Sequence, residues 1–208
     1  MLESSALLRA GERDTAKWFK EAERLWDTHK TDKNATMSAG GYLDWQGKLT
    51  GQSLATKYLV LYSASAKDAN AVVVEQGMFD RPFVVDYSAY WYGTNDRDEA
   101  DYLAAFLNAD APNLAIKDFQ AKGLFGERHV SKTILEVPLP RYDPASAVHQ
   151  KLAAEGRACA DEAAAWLAAA LAALPTGARR PNVGRLRTAL RAHLAPRLAA
   201  IDRLLART

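Results

Sequence analysis

With a single cysteine, Cys159, the 208-residue chain cannot be held by an internal disulfide framework, and a reducing compartment suits it. Long apolar runs are also missing. The longest uncharged stretch, Ala163 to Ala178, is mostly alanine, is broken by Pro175, and falls short of the roughly 20 apolar residues a bilayer span needs. The opening residues, Met-Leu-Glu-Ser-Ser-Ala-Leu-Leu-Arg, place an acid early and hold no apolar segment of signal-peptide length. A cytoplasmic protein with no membrane contact is the expectation.

Motifs that would announce an enzyme are equally scarce. No glycine-rich loop ends in Gly-Lys-Ser/Thr, and there is no Gly-x-Ser-x-Gly nucleophile elbow. Neither the glycine-rich turn nor the Asp/Asn-Pro-Pro-aromatic tetrapeptide of an adenine methyl-transfer centre occurs. The four histidines, His29, His129, His149 and His193, lie far apart and outside any metal-ligand spacing. Asp80, Asp86, Asp96 and Asp98 could ligate a hard cation in a nuclease, but two of them sit where Asp caps a turn or a helix. No catalytic residue, metal or resident cofactor is assigned.

What remains is an ordinary globular composition, 49% hydrophobic and 25% charged with five tryptophans, and an uneven charge. Residues 1–140 hold 16 Lys and Arg against 20 Asp and Glu, a balance of −4, and residues 141–208 hold 11 against 5, a balance of +6. From Thr176 onward there are eight arginines and one acid, Asp202. These form either a solvated helix face or a polyanion-facing surface.

Apolar spacing from Trp18 to His29 predicts a helix after Asp14 or Thr15, and residues 31–56 read as a glycine-rich loop with at most one short extended piece. β-branched and aromatic runs predict strands at Lys57–Ser63, Ala71–Glu75 and Phe83–Tyr92. Asp96 with Glu99 resembles a capping box opening a helix through Leu107. A further helix is expected from Pro112 to Ala121, stopped by Gly123, and a strand over Lys132–Val137. Two long amphipathic segments, Ala145–Leu174 and Val183–Ala206, should fold back on one another, with Pro196 a candidate kink. The expected fold is α+β: a small, mainly antiparallel sheet with flanking helices in residues 1–143, then a C-terminal antiparallel helical hairpin in residues 144–208.

Three runs carry a resemblance: Glu99-Ala-Asp-Tyr-Leu-Ala-Ala-Phe-Leu-Asn108; Ile116-Lys-Asp-Phe-Gln-Ala-Lys-Gly-Leu-Phe-Gly-Glu-Arg-His-Val-Ser-Lys132; and Leu135-Glu-Val-Pro-Leu-Pro-Arg-Tyr-Asp143. In order and spacing they are similar to the C-terminal target-recognition region of N6-adenine DNA methyltransferases of restriction-modification systems. Trp18-Phe19, Val60 to Ser65 and Phe83 to Tyr92 fit the same pattern. The resemblance implies a specificity module that binds double-stranded DNA beside a methyltransferase domain or subunit. That partner would hold S-adenosylmethionine and methylate a flipped adenine.

Within that frame Lys117, Lys122, Arg128 and Lys132 are the candidate phosphate contacts, around a loop relaxed by Gly123 and Gly126. Arg128 to guanine and Gln120 to adenine have bidentate geometry, and His129 can donate or accept. Tyr90 and Tyr92 are candidate stacking residues, with core packing as the alternative. A tight scaffold turn is the alternative for the glycine loop. The competing function is a protein-interaction module whose helical hairpin docks on a methyltransferase or joins two copies of the chain, without touching DNA.

Overall fold

The fold is that of a computed structural model. It describes residues 2–86, 88–123, 126–130, 132–175 and 181–208, and at 123 and 126–128 only the backbone. One compact unit ends at Ser53, and a second runs from Leu54 to Thr208.

The first unit is helical: α1 Ser4–Arg9, α2 Arg13–His29 and α3 Ala39–Leu43. Phe19 is its buried anchor. Trp26 stacks on Tyr42 at 4.3 Å and donates its indole N–H to the Met37 carbonyl at 2.7 Å. α1 and α3 fall in stretches for which no helix was expected. Gly40 explains why α3 tolerates the N-terminal chain against it, since a Cβ there would lie 2.3 Å from the Leu2 carbonyl oxygen.

The second unit is α+β. Strands β1 Tyr58–Ser63, β2 Ala71–Glu75 and β3 Ala89–Thr94 form an antiparallel sheet in the order β2-β1-β3, with Leu61 opposite Val72 and Trp91. Helix α4, Arg97–Asn108, then turns back across it. Asp96 caps α4, accepting from the amides of Asp98 at 2.8 Å and Glu99 at 3.2 Å. Only half of the expected box forms, because the Glu99 carboxylate accepts from Thr94 and Tyr92 instead.

α4 is buried on two sides, which is why its sequence is apolar nearly all round. Ala100, Ala104 and Leu107 pack with Val60 and Tyr62 of the sheet, while Tyr102, Ala105 and Ala109 pack with Leu152, Leu194, Leu198 and Ile201. Those last residues belong to two long helices that end the chain, Ala147–Ala172 and Val183–Leu205. Each fully buried Leu or Ile here contributes roughly 1.5–3 kcal/mol. Arg197 pairs with Glu155 and Glu162, His193 meets Glu162 at 3.0 Å, and this pairing sets the two helices antiparallel. The second helix continues through Pro196.

Gly156 lets the first long helix approach α4, for a Cβ there would lie 2.4 Å from the Asp101 carbonyl oxygen. Beside it the Asp101 carboxylate, 1% exposed, accepts from Arg97 at 2.8 Å and Arg157 at 2.7 Å. A buried carboxylate held by two guanidiniums is compensated where a lone one would not be.

Three elements differ from expectation. Strand β3 begins at Ala89, because Phe83 is bonded through both backbone groups to the Gln76 amide and Asp86 caps a turn at Ser88. The helix expected over Pro112–Ala121 is a short α5, Asp110–Ala115, then a 3-10 turn at Lys117–Phe119 and a strand β4, Ala121–Gly123. The strand expected at Lys132–Val137 is a 3-10 turn, Thr133–Glu136, which drives Ile134 into the core while Leu135 faces solvent. β4 pairs antiparallel with β5, Gly126–Arg128; with these in place the two long helices are α6 and α7.

Candidate nucleic-acid interface

Residues 116–134 leave the core, form the β4–β5 hairpin and return. Ile116 is buried at the outgoing end; Val130 and Ile134 are buried at the returning end. Val130 also donates its amide to the Ala66 carbonyl at 3.3 Å. Gly123 faces Gly126 where the strands close, a spacing that suits a two-residue connection. Leu124 and Phe125, which the sequence places between the two glycines, lie outside the described residues.

His129 takes a positive φ of 60°, a left-handed conformation that costs a non-glycine residue about 1 kcal/mol or more. It stands at the step from the hairpin to buried Val130, and its side chain is exposed. Lys122 and Lys132 are exposed too; Lys122 stands opposite Glu127 in the β4–β5 register, and neither ammonium forms an ion pair with an acid whose side chain is described. These three are brought to one excursion of the chain. The Arg128 side chain lies outside the described set.

Lys117 and Gln120 do a different job from the one expected of them. The Lys117 ammonium donates to the Lys67 backbone carbonyl and the Asp68 carboxylate, both at 2.6 Å, and to the Gln120 side-chain Oε1 at 3.3 Å. Gln120 is buried, and its amide N–H donates to the Lys67 carbonyl at 3.1 Å. Both ends of the glutamine are thus occupied, so it has no free edge for a base, and Lys117 is already spent. Together they latch the β1–β2 turn, which buried Asn113 holds from the other side by accepting from the Ala69 amide at 2.8 Å.

The aromatic candidates divide. Tyr90 stacks on Tyr62 at 5.3 Å and packs on the core. Tyr92 is 44% exposed, but its hydroxyl donates to Glu99 at 3.0 Å, tying it to the start of α4. Burial, then the bond to Glu99, raises its phenol above the ordinary range. Burial raises the Cys159 thiol as well, in keeping with an apolar role in α6.

The basic tail is partly consumed internally: Arg191 pairs with Asp110, and Arg197 with two glutamates of α6. Among the described residues no group of His, Cys, Asp and Glu gathers as a metal site, and no helix is long and apolar enough to cross a membrane. A groove beside β2, walled by α4, α6 and α7, does not follow from the sequence pattern. Its local signal is the run of alanines on α6, which by itself reads as helix propensity.

No family model, curated protein or solved structure matches the chain.

Proposed function

We propose that the chain is a target-recognition module of an adenine-specific DNA methyltransferase or restriction-modification enzyme, setting sequence specificity without a methyl-transfer centre of its own. One observation carries the reading: a short hairpin clamped in the core at both ends holds Lys122, His129 and Lys132 in solvent. Cations held on a clamped support lose little entropy when phosphates reach them. Lys122 and Lys132 position the backbone, and His129, with Arg128, reads base edges. Adenine is then flipped and methylated in a partner domain that holds S-adenosylmethionine.

Titration of a labelled duplex over a range of salt tests this. The slope of log affinity against log salt should fall by about one for each of Lys122→Ala and Lys132→Ala. An absence of duplex binding at low salt would overturn the proposal.

A second reading has its own support. Leu167 and Leu171 near the end of α6 and Val183 at the start of α7 are each exposed, as on a docking surface for a methyltransferase subunit or a second copy. It predicts self-association that Leu171→Glu abolishes, with no salt-dependent binding to DNA.

A further inference from the structure

We infer that the groove between β2, α4 and the α6–α7 pair binds a single-chain amphipathic anion, an aliphatic carboxylate, with its tail inside and its head at Arg187. The groove has a volume of about 480 Å³, within the range of small-molecule sites. Most of the side chains that α6 turns toward it are small, Gly156, Ala160, Ala163 and Ala164 among them, with Leu167 the one large residue, opposite Val72 and Val73 of the edge strand.

The interior is apolar in effect as well as in composition. Its polar groups are already engaged: Asp101 with Arg97 and Arg157, and the Asn108 amide with the backbone of Ala71, both bonds at 2.9 Å. The Asn108 contact also bears on what enters. Ala71 turns its N–H and C=O toward the free edge of the sheet, and Asn108 occupies both, so that rung is closed to an added peptide strand. A hydrocarbon chain makes no such demand.

The mouth is cationic. Arg187 lines it, is exposed, and has no acidic partner among the described residues. Arg191 lies one turn further along α7 and is shared with Asp110. Two guanidiniums on one helix face, one of them uncommitted, suit a carboxylate.

Isothermal titration with monomeric dodecanoate tests the inference, with dodecyltrimethylammonium as the control of equal chain length and opposite charge. The expected result is saturable binding of one dodecanoate, at least about tenfold tighter than the cation, with Arg187→Gln losing about tenfold in affinity. Ala164→Trp, at an exposed wall position, should abolish binding while the thermal unfolding transition persists. Cys159 lines the wall, so dodecanoate should also slow its modification by a thiol reagent. Equal affinity for the two amphiphiles, non-saturable uptake, or an unchanged affinity in Arg187→Gln would overturn the assignment. If Ala164→Trp does not fold, the Arg187→Gln titration and the protection of Cys159 decide alone.

Discussion

Gly156→Ala sets two opposed effects against each other at one atom. In the middle of a 26-residue helix, alanine is favoured over glycine by about 0.8–1 kcal/mol from backbone propensity. The added methyl, however, would lie 2.4 Å from the Asp101 carbonyl oxygen and 3.1 Å from the Ala105 Cβ, where ordinary contact begins near 3.5 Å. α6 and α4 must separate by about an ångström, and α4 cannot yield, because Ala100 and Leu107 on its other face are fully packed against the sheet. Overpacking of this kind costs typically 1–3 kcal/mol, and the close backbone contact puts the cost at the upper end. The net expectation is destabilisation by about 1–2 kcal/mol, a fall in Tm of roughly 2–8 °C for a unit of this size. Calorimetry on the full chain measures it. Gly77→Ala is the control, since a Cβ there meets nothing within 4 Å, and it should stay within about 0.5 kcal/mol of the parent. A Tm in Gly156→Ala equal to or above the parent would mean that propensity wins and that α4 and α6 do not touch as described.

Asp101→Ala removes the shared acceptor of Arg97 and Arg157, whose guanidiniums are partly hydrated, so a loss of about 2–3 kcal/mol in chemical denaturation is expected. A loss below about 0.5 kcal/mol would show the carboxylate to be solvated. Asp96→Ala should cost about 1 kcal/mol through the lost cap of α4, and Asp96→Asn much less. Burial, with the neighbouring Tyr90, pushes the Tyr62 phenol up to about 12. Because the folded value lies above the unfolded one, the stabilisation is whole below about pH 10 and is lost, by roughly 2–3 kcal/mol, as pH rises toward 12. Phenolate absorbance should show several tyrosines titrating above the ordinary range, Tyr92 and Tyr102 among them, and Tyr62→Phe should remove the latest of them. Lys117→Ala should destabilise the protein by about 1–2 kcal/mol, whereas Lys122→Ala and Lys132→Ala should change stability by less than about 0.5 kcal/mol. The reverse order would undo the division between latch and surface.

That division marks how much was legible in the residues alone. Strand β2 could be read to its ends, because Ala-Val-Val-Val-Glu is β-branched and bounded by a turn. The long helices are legible within about two residues from apolar spacing alone; their caps, Ser146 and Asn182, emerge only in the structure. The hairpin is not legible. Lys117 and Gln120, three apart in a polar stretch, look like the wet side of a helix, and their partners, Lys67 and Asp68, lie about fifty residues earlier. Local pattern carries no trace of a bond across that distance, so spacing alone extends the helix to Ala121 and leaves both side chains open to DNA. The groove was hidden for the opposite reason: it is made by what the alanines of α6 leave unfilled, and a void has no residue of its own.

The bonds that withdraw Lys117 and Gln120 from the candidate interface also strengthen what is left of it. A hairpin of two three-residue strands is not stable by itself in water. Here the outgoing end is fixed by Ile116 in the core and by the Gln120–Lys67 bond, and the returning end by Val130 against Ala66. Both ends thus converge on one short stretch, the β1–β2 turn. Cutting the latch with Lys117→Ala should therefore free the hairpin's amides to exchange faster without removing a single exposed cation. If DNA binding depends on a pre-positioned hairpin, that variant should weaken it while leaving the salt slope unchanged, because the slope counts phosphate contacts and not their rigidity. A slope that falls together with affinity would return Lys117 to the set of phosphate contacts.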